Sequence, residues 1–150
     1  YSIALFLFFI ASFSDFLDGY LARKTNSVSV LGEILDPIAD KLLIVFVLIG
    51  LSINLDSFLI GFISAVIISR EIWVAALRDI NARNNQSDKT KVTFLAKTKT
   101  AIQMLSILMY LFGLTINNMM ILFFADIILI IALLVTIQTG FQYTISTFKK

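Results

Sequence analysis

Four aspartates, Asp15, Asp18, Asp36 and Asp40, stand at the mouths of two apolar stretches in a 150-residue chain that has neither histidine nor cysteine. A charge near the centre of a membrane helix costs about 2.5–3.5 kcal/mol even on the lenient insertion scale, so these carboxylates need partners that offset them. Asp15 and Asp18 are three residues apart and Asp36 and Asp40 four, spacings that put each pair on one face of a helix. Carboxylates gathered at short range stay ionised together only when cations compensate them. With no nitrogen or sulfur ligand among them, the set favours hard ions: Mg²⁺, Mn²⁺ or Ca²⁺. Four carboxylates can balance two divalent ions, the arrangement that clamps the attacking and leaving oxygens of an in-line phosphoryl transfer. The absence of histidine removes an imidazole base, and the absence of cysteine removes a thiolate nucleophile, a zinc–thiolate site and any disulfide. Catalysis must run on carboxylates, hydroxyls, lysine, arginine and metal ions.

The residues between the aspartates suit a phosphate-bearing ligand. Gly19 removes a side chain next to Asp18 and lets a helix or ligand approach the backbone. Ala22 is also small, and Arg23 offers a planar fork of donors for phosphate oxygens. Ser29 and Gly32 lie on the connection, where a hydroxyl and an open backbone can meet a diphosphate. Pro37 fits the first turn of a helix beginning at Asp36, where its missing N–H does no harm. Each residue taken singly has a blander explanation. A lone membrane aspartate more often makes an interhelical hydrogen bond, Arg23 and Lys24 are ordinary interfacial anchors, and Gly19 and Ala22 suit any packing seam. The combination is what resists that explanation.

The elements that must position these residues are helices in a bilayer. The chain is 59% hydrophobic and 15% charged, with 14 phenylalanines and one proline, and its mean hydropathy is +0.93. That is far beyond the balance of a soluble domain. A bilayer core takes about 20 apolar residues as helix, and five stretches qualify: Tyr1 to Leu21, Asp36 to Asn54, Phe58 to Leu77, Thr100 to Thr115 and Met119 to Ser146. The links at Asp56 and at Asn117–Asn118 are short enough to make antiparallel neighbours of the helices they join. "KVTFLAK", ahead of the fourth stretch, suits a short interfacial turn. The cations fall on one side: Arg23, Lys24 and Lys41 around one link, Arg70 through Lys99 around another, and Lys149 and Lys150 at the end. The positive-inside rule makes that side cytoplasmic. The formal net charge is only +2, and neither it nor any motif points to nucleic acid. Residues 1–150 read as a single helical membrane domain without repeats. Because the chain opens at Tyr1 inside an apolar run, a sixth, preceding helix is expected.

The aspartates and their neighbours form the pattern D-x2-D-G-x2-A-R-x8-G-x3-D-x3-D, filled here by Asp15, Asp18, Gly19, Ala22, Arg23, Gly32, Asp36 and Asp40. This resembles the signature of the CDP-alcohol phosphatidyltransferase family, and eight fixed positions make it a specific one. The resemblance implies an all-α bundle of six transmembrane helices, often homodimeric, with a polar cavity open to the cytoplasm of a bacterial inner membrane. It implies a dinuclear Mg²⁺ site, with Mn²⁺ as the alternative, held by Asp15, Asp18 and Asp36, with Asp40 as a further ligand and the catalytic base. Gly19, Ala22, Arg23, Ser29 and Gly32 would line the pocket for the cytidine diphosphate of CDP-diacylglycerol.

Longer stretches, "SDFLDGYLARKTNSVSVLGEILDPIADKLL", "SREIWVAALRD" and "AKTKTAIQM", are similar to family members whose acceptor is glycerol 3-phosphate. They span most of residues 14 to 104. Ala96 departs from that likeness, standing where a glycine commonly precedes the "KxKT" element. The residues point the same way. Arg70 and Arg78 are eight apart on the third helix, close to one face, and Lys97 and Lys99 open the fourth. Such cations suit an acceptor that carries its own phosphate. Arg70 lies deeper than an interfacial anchor should, and Glu71 beside it is placed to orient or pair with it. The expected reaction is transfer of the phosphatidyl group of CDP-diacylglycerol to sn-glycerol 3-phosphate, giving phosphatidylglycerophosphate and CMP. The alternatives are another acceptor on the same fold, as in enzymes of the cardiolipin synthase or phosphatidylinositol-phosphate synthase type, or an ion-coupled transporter using the carboxylates as its path. Asp126, alone in "LFFADIILII" on the far side, is expected to make an interhelical hydrogen bond.

Overall fold

The computed structural model describes the backbone of residues 1–25, 30–90 and 94–149, and their side chains except those of residues 15, 16, 18–25, 30–37, 87, 94, 96 and 97. Five α-helices account for nearly all of it: α1 (Ser2–Thr25), α2 (Val30–Asn54), α3 (Phe58–Arg83), α4 (Phe94–Thr115) and α5 (Met119–Phe148). A single 3-10 turn, Ser87–Thr90, follows α3. No strand occurs among the described residues.

The two tight links are built alike. Asp56 and Asn117 take left-handed backbone conformations, with φ of 47° and 52°, which short polar side chains tolerate better than others. The following residues, Ser57 and Asn118, cap the next helix. Ser57 Oγ accepts from the Ile60 N–H, and Asn118 Oδ1 accepts from the N–H groups of Met120 and Ile121. Each link thus ends one helix and starts its antiparallel neighbour within a few residues, as the sequence leads one to expect.

α5 forms the centre of the bundle's contacts, with α4 antiparallel to it and α3 alongside; α2 packs on α3 and α4, and α1 on α4. Phe8, Ile44, Leu48, Ile60, Ile63, Ile67, Ile107, Tyr110, Leu111 and Leu129 belong to one core, and Val74, Leu77 and Tyr143 form a smaller one toward the other end of α3 and α5. Tyr1 Oη donates to Asn54 Oδ1 at 2.8 Å, joining the start of α1 to the end of α2.

The outer surface is apolar. Phe6, Phe46, Phe62, Phe124, Leu134 and Phe141 are all exposed, which in water would be a severe aggregation liability and in a bilayer is simply contact with lipid. Among the described residues α3 and α5 are long and apolar enough to cross a membrane, and Ser2–Ser14 forms a shorter apolar run. Since lipid tails are as apolar as leucine, these helices are held together by close packing and by interhelical hydrogen bonds of about 0.6–2 kcal/mol each.

The helices outrun the apolar stretches that announced them. α1 continues to Thr25, α3 to Arg83, and α4 begins at Phe94 instead of Thr100. α3's extension carries an i,i+4 ion pair, Arg83 Nη2 to Asp79 Oδ2 at 2.8 Å. The start of α2 is a correction: the helix begins at Val30, so Pro37 sits in its interior and not in its first turn. There it has no N–H to offer the carbonyl four residues earlier. In "KVTFLAK", Lys91, Val92 and Thr93 lie outside the described residues, and Phe94 already belongs to α4.

Candidate active site

The eight motif positions fall on two helices. The backbone of α1 is helical through Asp15, Asp18, Gly19, Ala22 and Arg23, and that of α2 through Gly32, Asp36 and Asp40. Asp15 and Asp18, and likewise Asp36 and Asp40, are therefore one helical turn apart, about 4.5–6 Å along the axis. The side chains of Asp15, Asp18, Gly19, Ala22, Arg23, Gly32, Asp36 and Lys97 lie outside the described ones, and Ser29 lies outside the described residues altogether. Asp40 is described, half-buried on α2. Among the described residues no three carboxylate, imidazole or thiol groups converge. For a divalent metal, the observation that bears on fit is that both helices run unbroken through the aspartates. The helical spacing of an all-oxygen donor set is preserved, and that set suits a hard divalent ion.

One residue beyond Asp40 begins a cluster of ionised side chains that the structure shows directly. Arg70, midway along α3, is 9% exposed, and Lys99, near the start of α4, is 6% exposed. Arg70 Nη1 donates to Glu71 Oε1 at 2.9 Å, Nη2 to Thr139 Oγ1 at 2.8 Å and Nε to the Thr136 carbonyl at 3.2 Å. Lys99 Nζ donates to the same Glu71 Oε1, and Lys41 Nζ pairs with Glu71 Oε2 at 3.3 Å. A buried charge is tolerable when opposite charge and hydrogen bonds replace its water, and Arg70 has both.

The sequence of α5 explains why this works. Thr136, Thr139 and Thr144 send their hydroxyl protons to carbonyls within their own helix, at Ala132, Val135 and Gly140. Their oxygens remain free to accept from neighbouring helices. Thr139 accepts from Arg70, Thr144 from Trp73 Nε1 at 2.8 Å, and Thr136 Oγ1 from Gln103 Nε2 at 3.1 Å. Further along, Thr147 accepts from Asn81 Nδ2 at 2.9 Å. Partner positions on α3 and α5 rise together, so these helices run parallel.

Gly140 gives the arginine room. A Cβ there would lie 3.1 Å from Arg70 Cγ and 3.4 Å from its Nε. Tyr143, one turn further, has the guanidinium carbons of both Arg70 and Arg78 at 5.7 Å from its ring centroid, a cation–π arrangement. Arg78 Nε is buried and has no hydrogen-bond partner among the described residues.

Of the cations assigned to an acceptor phosphate, Arg70, Arg78 and Lys99 are thus brought to one region. Arg70 already spends three donor nitrogens on protein groups, Glu71 pairing among them as expected. Sequence reasoning missed Lys41 as a member, along with Thr136, Thr139, Gly140 and Tyr143. The spacing of those last four on α5 was the available signal, since all fall within two turns. Asp126 accepts a hydrogen bond from the buried Tyr110 across the α4–α5 interface, the interhelical role expected for it.

An all-α bundle with a lipid-facing exterior and an ionised interior defines a polytopic membrane protein organised around a polar site. A family model described as CDP-alcohol phosphatidyltransferase matches residues 1–138. Relatives carrying the name CDP-diacylglycerol–glycerol-3-phosphate 3-phosphatidyltransferase are similar over most of the chain. That of Rickettsia bellii (strain RML369-C) is 43% identical over 138 residues, covering 91% of this chain and 74% of its own length. That of Haemophilus influenzae (strain ATCC 51907 / DSM 11121 / KW20 / Rd) is 39% identical over 143 residues, 94% of this chain and 75% of its own. That of Rickettsia felis (strain ATCC VR-1525 / URRWXCal2) is 41% identical over 140 residues. The chain belongs to the CDP-alcohol phosphatidyltransferase family.

Proposed function

We propose that this chain transfers the phosphatidyl group of CDP-diacylglycerol to the primary hydroxyl of sn-glycerol 3-phosphate, forming phosphatidylglycerophosphate and releasing CMP. The observation that carries the reading is the complete eight-position aspartate motif on α1 and α2. The relatives named for this reaction and the cation-rich cluster that begins beside Asp40 support it.

Asp15, Asp18, Asp36 and Asp40 would hold two Mg²⁺ ions, or Mn²⁺, which when bound neutralise negative charge on the diphosphate. Gly19, Ala22, Arg23, Ser29 and Gly32 serve the cytidine diphosphate, the small residues admitting it to the backbone and Arg23 meeting its phosphate oxygens. Arg70, Arg78, Lys97 and Lys99 serve the acceptor's phosphate. In this group Arg78, whose buried Nε has no partner among the described residues, has a donor to spare, whereas Arg70 acts mainly by keeping its neighbours in place. The acceptor hydroxyl gives its proton to the Asp40 carboxylate as its oxygen attacks the β-phosphorus. The phosphorus–oxygen bond to CMP breaks on the opposite side.

Residues 1–150 act as one membrane domain, in a homodimer in the bacterial inner membrane with the site facing the cytoplasm. The lipid tails of the donor remain in the bilayer while its headgroup enters from the side. CMP release by the purified protein in the presence of glycerol 3-phosphate tests the reaction. Release with a different acceptor alone would keep the donor site and overturn the acceptor.

A further inference from the structure

The reading above gives work to Asp40 and to four cations, but none to Glu71, the carboxylate on which two of those cations, Arg70 and Lys99, meet together with Lys41. Glu71 Oε1 accepts from Arg70 Nη1 at 2.9 Å and from Lys99 Nζ, and Glu71 Oε2 pairs with Lys41 Nζ at 3.3 Å. The three partners come from α3, α4 and α2. If the carboxylate served only to neutralise its neighbour, the favoured geometry would be the two-pronged arginine–carboxylate pair. Instead Arg70 gives it one nitrogen and turns Nη2 and Nε to Thr139 and the Thr136 carbonyl, which leaves Oε2 for Lys41. Lys41 directly follows Asp40 on α2, so the same carboxylate ties the backbone of the candidate base to the two helices that bear Arg70 and Lys99. Three positive charges and one negative leave these four groups with an excess of two. A phosphomonoester carries about −1.5 to −2 at neutral pH.

Resting on the proposed acceptor, we infer that Glu71 is the positioning residue of the acceptor half of the site: it holds the Lys41 and Lys99 ammonium groups at one point between α2, α3 and α4 and, with Arg70 counted, trims the cluster's positive charge to match a phosphomonoester dianion. It does not touch the reacting atoms. It acts through the two lysines, and it sets their distance from Asp40.

The test uses the full-length protein in detergent, with KM measured separately for glycerol 3-phosphate and CDP-diacylglycerol. Glu71→Gln removes the charge that gathers the lysines. It should raise the acceptor KM on the order of 10–100-fold and leave the donor KM within about twofold, with Glu71→Asp recovering part of the loss. Because Glu71 acts through Lys41 and Lys99, adding Glu71→Gln to a variant that already carries Lys41→Met and Lys99→Met should change the acceptor KM by less than about threefold further. Without donor, glycerol 3-phosphate should raise the Tm of the parent protein and not that of Glu71→Gln. Lys41→Met, at a side chain 41% exposed, carries the same test should Glu71→Gln fail to fold: its acceptor KM should rise with the donor KM unchanged.

Equal changes in both KM values, or a loss from Glu71→Gln that multiplies even when both lysines are already replaced, would reduce Glu71 to a structural ion pair and overturn the inference. A parent protein that ignores glycerol 3-phosphate but accepts another alcohol would overturn the proposed acceptor instead, and with it the inference that rests on it. A parent that uses glycerol 3-phosphate while Glu71→Gln matches it would sink the Glu71 role alone.

Discussion

Two polar groups of side chains on different helices can be compared among the described residues, and they are finished differently. At one, Tyr110 on α4 donates to Asp126 on α5: one donor, one acceptor, two helices. At the other, Lys41, Arg70 and Lys99 converge from α2, α3 and α4 on Glu71, while Arg78 reaches the same neighbourhood through Tyr143. The first is a closed pair in that its one donor is spent and it carries no positive charge. The second has more positive charge than Glu71 can absorb and a buried donor, Arg78 Nε, without a partner among the described residues. An ionisable residue in a membrane helix is therefore not enough to indicate a site. What distinguishes the two is whether donors and positive charge are left over for an anionic ligand.

The comparison can be broken from either side. The largest effect is expected at Asp40, adjacent to the cluster: Asp40→Asn should lower kcat by about 10³-fold or more while CDP-diacylglycerol still binds. Normal turnover would remove Asp40 as the base. Arg70→Ala should raise the acceptor KM far more than the donor KM. It should also destabilise the protein by about 3 kcal/mol, because a buried network loses its most connected member, as a denaturation series in detergent would show. Equal KM changes would argue against a separate acceptor region.

Gly140→Ala is a milder probe of the same group. Its new methyl would press on Arg70 Cγ from 3.1 Å, and a shift of the guanidinium should cost about 1 kcal/mol and raise the acceptor KM several-fold. The smallest effect belongs to the closed pair. Asp126→Asn can still accept from Tyr110, so stability should change by less than about 1 kcal/mol and both KM values should stay within about twofold. A large kinetic effect there would erase the distinction between the two groups.

Particular residues show what could be read in advance. Phe58 and Met119 were recognisable as helix starts because an apolar run resumes abruptly there after the short polar links at Asp56 and Asn117–Asn118, and the caps Ser57 and Asn118 came to light only in the structure. Thr25, Val30 and Phe94 were not recognisable as helix boundaries. Hydropathy marks where the bilayer core ends, whereas backbone hydrogen bonding continues through polar residues into the interface. Pro37 was misplaced for that reason: a helix assumed to start at the edge of the apolar run left the proline in its first turn.

The aspartate pairs were legible because their partners lie one turn away in the same helix. Glu71's three-way role was not, since it depends on which helices α2, α3 and α4 present to one another. Gly140 and Tyr143 gave a spacing but no chemistry until Arg70 was seen to lie across them.

CMP release from CDP-diacylglycerol by the detergent-purified, full-length protein decides whether the proposed reaction takes place. The assay compares glycerol 3-phosphate with inositol phosphate, serine and phosphatidylglycerol, each with Mg²⁺ and with EDTA. Release is expected with Mg²⁺ and glycerol 3-phosphate, and none after chelation or with the other acceptors. Release that survives EDTA would contradict the aspartate metal site, and no release with any acceptor would contradict the transferase itself and return the carboxylates to the transport reading.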